Sequence, residues 1–134
     1  GMTIKQVCER YGLTPDTLRY YEKIGVIPQV RRSASGIRDY SEQDIGWVEN
    51  AVCLRNAGVP VDSIVQYVKL FQAGDETIAA RRDLLSRALD DLLDQRSQLN
   101  AAIQRLSYKV RRYDQALQTG ILSWEPEDAE KQNR

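Results

Sequence analysis

The chain has 134 residues, 42% hydrophobic and 28% charged, with 19 basic and 19 acidic side chains and no histidine. That is enough for one ordinary domain, or for a small domain plus a long helix. Two cysteines (Cys8 and Cys53), no CxxC pair, no nucleotide loop and no carboxylate pair in a pocket motif argue against a metal site, a cofactor and an enzyme. No segment approaches the roughly 20 apolar residues that cross a bilayer and no signal peptide is visible, so a reducing cytoplasm is the expected compartment.

The first element is a helix from about Thr3 to Tyr11, capped by Thr3, with Ile4, Val7 and Cys8 on one face. Cys8 reads as packing. Gly12 breaks this helix, and Thr14 caps a second one, Pro15 to Ile24, because proline at the first helical position forfeits no amide bond. Leu18, Tyr21 and Ile24 form its inward face, and Gly25 stands where a left-handed cap residue is expected. Two short helices joined by a tight glycine-containing turn match the helix-turn-helix pattern. The second helix gathers Arg19, Tyr20 and Lys23, the cationic and hydroxyl donors that phosphate contacts need.

Pro28 ends helical options. Val30-Arg31-Arg32 and Ile37-Arg38-Asp39-Tyr40 flank the small residues Ser33-Ala34-Ser35-Gly36, which predicts a β-hairpin forming a wing beside the second helix. Residues 1–40 hold seven basic and four acidic side chains, a net of +3, against twelve and fifteen, a net of −3, in 41–134. A basic patch acts locally, within a Debye length of about 8 Å, so this segregation favours a nucleic-acid partner despite the zero total.

Ser41 opens a third helix, with Asp44 as its capping-box partner and Ile45, Val48 and Val52 as its apolar stripe. Gly58 and Pro60 end it. A fourth helix, from about Val61 to Gln72, is expected to bury Ile64, Val65, Val68 and Phe71, and Gly74 stops it. From Asp75 to Thr119 there is no glycine or proline. Ile78, Arg82, Leu85, Leu89, Leu92, Arg96, Leu99, Ile103, Leu106, Val110, Tyr113 and Leu117 step by alternating fours and threes, a heptad seam of about six heptads. Such a helix needs a partner, most simply the same helix of a second chain. Arg82 and Arg96 interrupt the seam, either reaching to its edge or pairing with partner acids such as Asp90, Asp91 or Asp94. After Gly120 the tail is polar and acidic. Ile121, Leu122 and Trp124 are candidates to fold back onto a neighbour, and the last eight or so residues read as disordered.

The segments LTPDTLRYYEKIGVIP (Leu13 to Pro28), RRSASGIRDYSEQDI (Arg31 to Ile45) and LRNAGVPVDSI (Leu54 to Ile64) together resemble the mercury-resistance-regulator (MerR) family of bacterial transcription regulators. The resemblance covers Ile4 to about Tyr113. It implies an all-α fold with a small β-hairpin wing: a winged helix-turn-helix domain with a linking helix pair over 3–72, an antiparallel coiled-coil dimerisation helix over 75–119, and an acidic tail over 120–134. It also implies a homodimer that distorts double-stranded promoter DNA and affects RNA polymerase indirectly. By matching positions, Thr14, Thr17, Arg19 and Tyr20 would meet DNA through the recognition helix, and Arg31, Arg32, Arg38 and Tyr40 in or around the wing. Arg38 is equally open to a bracing role.

There is no cysteine after Cys53, which sets the chain apart from metal-responsive members, and no room after Gly120 for an appended ligand-binding domain. The segments around VCLRNAG (Val52 to Gly58) are similar to the AdhR/NmlR subgroup, in which a cysteine at this place answers reactive aldehydes or nitrosative stress. The resemblance therefore implies Cys53 as a sensor thiol for a covalent small electrophile, with Arg55 favouring the thiolate and Glu49 opposing it. Two alternatives stay open: Cys53 as a small packing residue, and the whole chain as a coiled-coil interaction module without DNA binding.

Overall fold

The computed structural model describes residues 1–124, and its regular structure there is five α-helices and one 3-10 turn. α1 spans Ile4–Tyr11. The Thr3 side chain accepts from the Gln6 amide, and the Gln6 side chain accepts from the Thr3 amide, a reciprocal cap. α2 spans Pro15–Ile24. Thr14 Oγ1 accepts from the Thr17 amide, and Gly25 at φ 91° ends the helix. That left-handed turn lets the amides of Gly25, Val26 and Ile27 converge on the Tyr21 carbonyl at 3.1, 2.8 and 3.3 Å. α3 spans Glu42–Asn56 behind a complete Ser41–Asp44 capping box, and α4 spans Val61–Ala73. A 3-10 turn, Asp75–Thr77, leads into α5, Ile78–Thr119.

The chain divides into two compact units, one from Gly1 to Asp90 and a second from Asp91 onward. The core of the first draws on every helix up to α4 and on the loop after α2: Val7, Leu18, Val26, Ile27, Tyr40, Val48 and Ile64 are essentially fully buried. Each large apolar side chain so placed contributes about 1.5–3 kcal/mol, which is how helices of eight and ten residues persist. Leu84 of α5 is buried in this unit too, and Ala88 packs against its core.

The expected β-hairpin wing is not formed as strands. Arg32 and Arg38 make one isolated antiparallel bridge, closed by Ser33 N–H to the Ile37 carbonyl at 2.7 Å and Asp39 N–H to the Arg31 carbonyl at 2.9 Å. The pair that would extend the ladder, Val30 and Tyr40, is engaged elsewhere. Tyr40 exchanges both backbone hydrogen bonds with Met2 at 2.9 Å, and the Val30 amide donates to Glu22 Oε2 at 3.4 Å. Among the described residues the segment is therefore a closed loop.

Three further details depart from the sequence pattern. α3 buries Ala51 and Leu54 together with Val48, while Ile45 and Val52 are only partly covered. Phe71 is 45% exposed, packing edge-on to Trp47 with ring centroids 4.9 Å apart. The segment from Asp75 begins as a tight 3-10 turn before the α-helix sets in. That turn is densely bonded. Thr77 Oγ1 contacts the carbonyls of Leu70 at 2.5 Å and Gly74 at 2.7 Å. Arg81 donates to Thr77 Oγ1 at 3.0 Å and to the Gly74 carbonyl at 3.2 Å, its guanidinium lying over the Phe71 ring.

In the second unit the chain turns back after α5. Arg112 donates to the Ser123 carbonyl at 2.7 Å and to its hydroxyl at 2.9 Å, and Trp124 sits 5.7 Å from Tyr108 and 6.2 Å from Tyr113 between ring centroids. Trp124 thus folds back onto its own α5, while Ile121 and Leu122 remain exposed. The disorder expected of the last eight or so residues falls outside the described residues.

Candidate nucleic-acid interface

α2 and the loop Arg31–Tyr40 carry the residues singled out for DNA. Thr14 is exposed at the head of α2 and its hydroxyl donates to Thr17 Oγ1 at 2.8 Å, so the two threonines form one polar edge. Arg19 is half-exposed and rests on Asp16 at 3.3 Å, an i,i+3 surface pair weak enough for a phosphate to displace. Tyr20 and Lys23 are exposed beside it.

The loop is held to α2 by one ion pair. Arg38 Nε lies 2.7 Å from Glu22 Oε1, with side chains only 20% and 10% exposed, and the other Glu22 oxygen takes the Val30 amide. Arg31 is exposed. Arg32 is exposed too, though its guanidinium donates to the Gly36 carbonyl at 2.9 Å and shapes the turn from within. Gly36 at φ 83° supplies the left-handed residue that turn requires.

Two expected contact residues have other positions. Tyr40 is fully buried, so its ring is core and cannot meet DNA. Arg38 is mostly covered and committed to Glu22, the bracing role. Burial, with Glu22 adding to it and Arg38 opposing, pushes the Tyr40 hydroxyl up to about 12, and that oxygen has no hydrogen-bond partner among the described residues. Gln29 is a position the sequence reading missed. It lines a shallow depression with Arg19, Glu22, Lys23 and Arg38, and a second one with Val30, Arg31 and Arg32. Its signal was a polar residue set between Ile27 and Val30, both of which are buried.

Cys53 is exposed on α3, whereas Cys8 is buried and burial raises its thiol pKa, with Arg19 acting against the shift. Arg55 donates to the Val59 carbonyl at 2.9 Å, and Glu49 accepts from the Tyr11 hydroxyl, which raises the tyrosine's pKa. Among the described residues no cluster of His, Cys, Asp or Glu could hold a metal ion, and no helix is long and apolar enough to cross a membrane.

Residues 2–70 match the family of MerR HTH regulatory proteins. The chain belongs to the MerR family. This MerR-family transcriptional regulator is 47% identical over 93 residues to the HTH-type transcriptional regulator AdhR of Bacillus subtilis (strain 168), a match spanning 69% of this chain and 66% of that relative. Among solved structures, a protein from Listeria monocytogenes described as a MerR family transcriptional regulator shares 33% identity at a TM-score of 0.83, over 90% of this chain and 91% of the other. HiNmlR, a MerR family regulator lacking the sensor domain and solved bound to promoter DNA, shares 29% identity at a TM-score of 0.79, over 90% and 95% of the two chains.

Proposed function

We propose that this MerR-family regulator binds double-stranded promoter DNA as a homodimer in the cytoplasm. Residues 3–72 form the DNA-binding head, 75–119 the dimerisation helix and 120–134 an acidic tail. Thr14, Thr17, Arg19 and Tyr20 of α2 meet the duplex, joined by Arg31 and Arg32 of the loop. Two heads on one duplex distort it between them, and RNA polymerase responds to the altered DNA. The observation that carries this reading is the Arg38–Glu22 pair. It fastens the loop to α2, so that cations from two elements present a single surface. Arginine forks suit phosphate and guanine alike.

The dimer reading rests on α5. Leu85, Leu89, Leu92, Leu99, Ile103, Leu106, Val110, Tyr113 and Leu117 are all exposed in the single chain, an apolar row broken only by Arg96 that a second copy would cover. The charges favour an antiparallel arrangement. Asp90, Asp91 and Asp94 form an acidic block and Arg105, Lys109, Arg111 and Arg112 a basic one. Parallel pairing stacks like on like, whereas an antiparallel pairing that sets Ile78 against Leu117 brings Asp90 opposite Arg105 and Asp83 opposite Arg112.

Cys53 is the candidate sensor thiol, its thiolate adding to a soft electrophile such as an aldehyde carbon, with the product oxygen taking up a proton. Its exposure favours this over the packing alternative. An adduct there enlarges a side chain on α3, whose other faces carry the core residues Val48, Ala51 and Leu54.

Promoter titrations across salt test the DNA reading. Phosphate contacts give log affinity a steep negative slope against log salt, and Arg31→Ala should flatten it by about one. Absence of duplex binding in dilute buffer would leave the interaction-module alternative standing. Cys53→Ser should abolish electrophile-induced transcription and leave promoter binding intact; normal induction in that variant would remove the sensor reading.

A further inference from the structure

The seam of α5 has an order that reads the same from either end. Its steps of four and three are palindromic, so in an antiparallel pair one register sets every seam residue against another seam residue. Ile78 then faces Leu117, Arg82 faces Tyr113 and Arg96 faces Leu99. A slip of one heptad in either direction leaves seam residues at the helix ends without partners, and moves Arg82 off Tyr113.

Arg82 is the position this register accounts for. A cation in an apolar seam costs stability unless something meets it. Its side chain is 74% exposed in the single chain, and its ion pair there is with neighbouring Asp83 at 3.2 Å, a surface contact of little strength. Tyr113 is 56% exposed, and Trp124 packs its own ring against it, held by the Arg112–Ser123 hydrogen bonds. The turn after α5 therefore builds an aromatic platform around the seam position that faces Arg82 of a second copy.

We infer that Arg82 of each copy stacks on the Tyr113–Trp124 aromatic pair of the other, and that these two symmetric layers fix the register of the dimer. The inference rests on the antiparallel dimer proposed above and adds the residues that select one alignment. A guanidinium over an aromatic face is favourable, and more so as water is excluded, so the layer stabilises the charge more than a facing leucine would. It also rejects the slipped registers, in which Arg82 meets aliphatic Leu106 or the bare backbone of Gly120.

Sedimentation of the full chain and its variants tests this. Arg82→Ala should raise the dimer dissociation constant roughly five- to thirty-fold, because two layers are lost per dimer. Tyr113→Phe keeps the ring and should stay near wild type, whereas Tyr113→Leu should weaken the dimer as Arg82→Ala does. The exchanged pair Arg82→Tyr with Tyr113→Arg should recover most of the loss. In a Cys53→Ser background, Ile78→Cys with Leu117→Cys should give disulfide-linked dimers under mild oxidation, and the displaced pair Leu85→Cys with Leu117→Cys should not. A stable wild-type dimer that Arg82→Ala leaves unchanged, or that cross-links in the displaced pair, overturns the layer while the dimer stands. A wild-type chain monomeric at about ten micromolar overturns the dimer and the layer together.

Discussion

Removing the charge of Glu22 isolates the fastening between the loop and α2. Glu22→Gln keeps the shape and an oxygen for the Val30 amide, yet leaves the Arg38 guanidinium without its counter-charge. Exposed ion pairs contribute about 0–1 kcal/mol, and breaking fully buried ones costs about 3–5 kcal/mol. The Arg38 and Glu22 side chains are 20% and 10% exposed at 2.7 Å, nearer the buried limit but with some water at the rim, so about 2 kcal/mol is expected. For a folding unit of this size that lowers the melting temperature by about 10 °C. Circular dichroism melts measure it, and fluorescence anisotropy with a labelled promoter duplex, taken where the variant is fully folded, measures the second consequence. The freed loop no longer holds Arg31 and Arg32 fixed beside α2, and affinity should fall about tenfold, the equivalent of 1.4 kcal/mol. Arg38→Met should cost as much alone, and the double variant should recover part of the loss, since no unpaired charge remains. A melting temperature within about 2 °C of wild type and unchanged affinity would refute the fastening argument.

Three other outcomes follow from the same structure. Tyr40→Phe removes a buried hydroxyl that has no hydrogen-bond partner among the described residues and should be neutral or stabilising by up to about 1 kcal/mol in urea titrations at neutral pH. The Tyr40 contribution is whole below pH 10, where the ring is neutral folded or unfolded, and is lost as pH rises through about 12, so the phenylalanine variant should resist alkaline unfolding across that window. Ser41→Ala deletes the cap of α3 and should cost about 1 kcal/mol in the same titrations. Iodoacetamide should label Cys53 in the native protein and Cys8 only after denaturation, as peptide mass spectrometry would show, because one thiol is exposed and the other buried.

Local rules were enough for the helix starts. Thr3, Thr14 and Ser41 each cap through a side-chain oxygen a few residues from the amide it serves, an arrangement written in adjacent letters. The loop after α2 needed information from farther away. Nothing between Val30 and Tyr40 shows that Met2 takes the Tyr40 backbone and Glu22 the Val30 amide, which is why a strand ladder was expected. Tyr40 stands among the contact residues only by its matching position in the family resemblance. Its burial comes from joining a core assembled from residues far apart in the chain, from Val7 to Ile64, a packing fact with no local pattern. On α5 the seam period was legible, but the burial of Leu84, one place off the seam, came from the helix's first turns also facing the core of its own unit.

The connector between α4 and α5 has little play. Thr77 and Arg81 lash the Leu70 and Gly74 carbonyls across a single turn, and the Phe71 ring lies beneath the Arg81 guanidinium. A slack joint would absorb a twist applied to the start of the long helix. With these bonds in place, a twist at Ile78 is expected to pass into α4, whose own Ile64 and Val68 are buried.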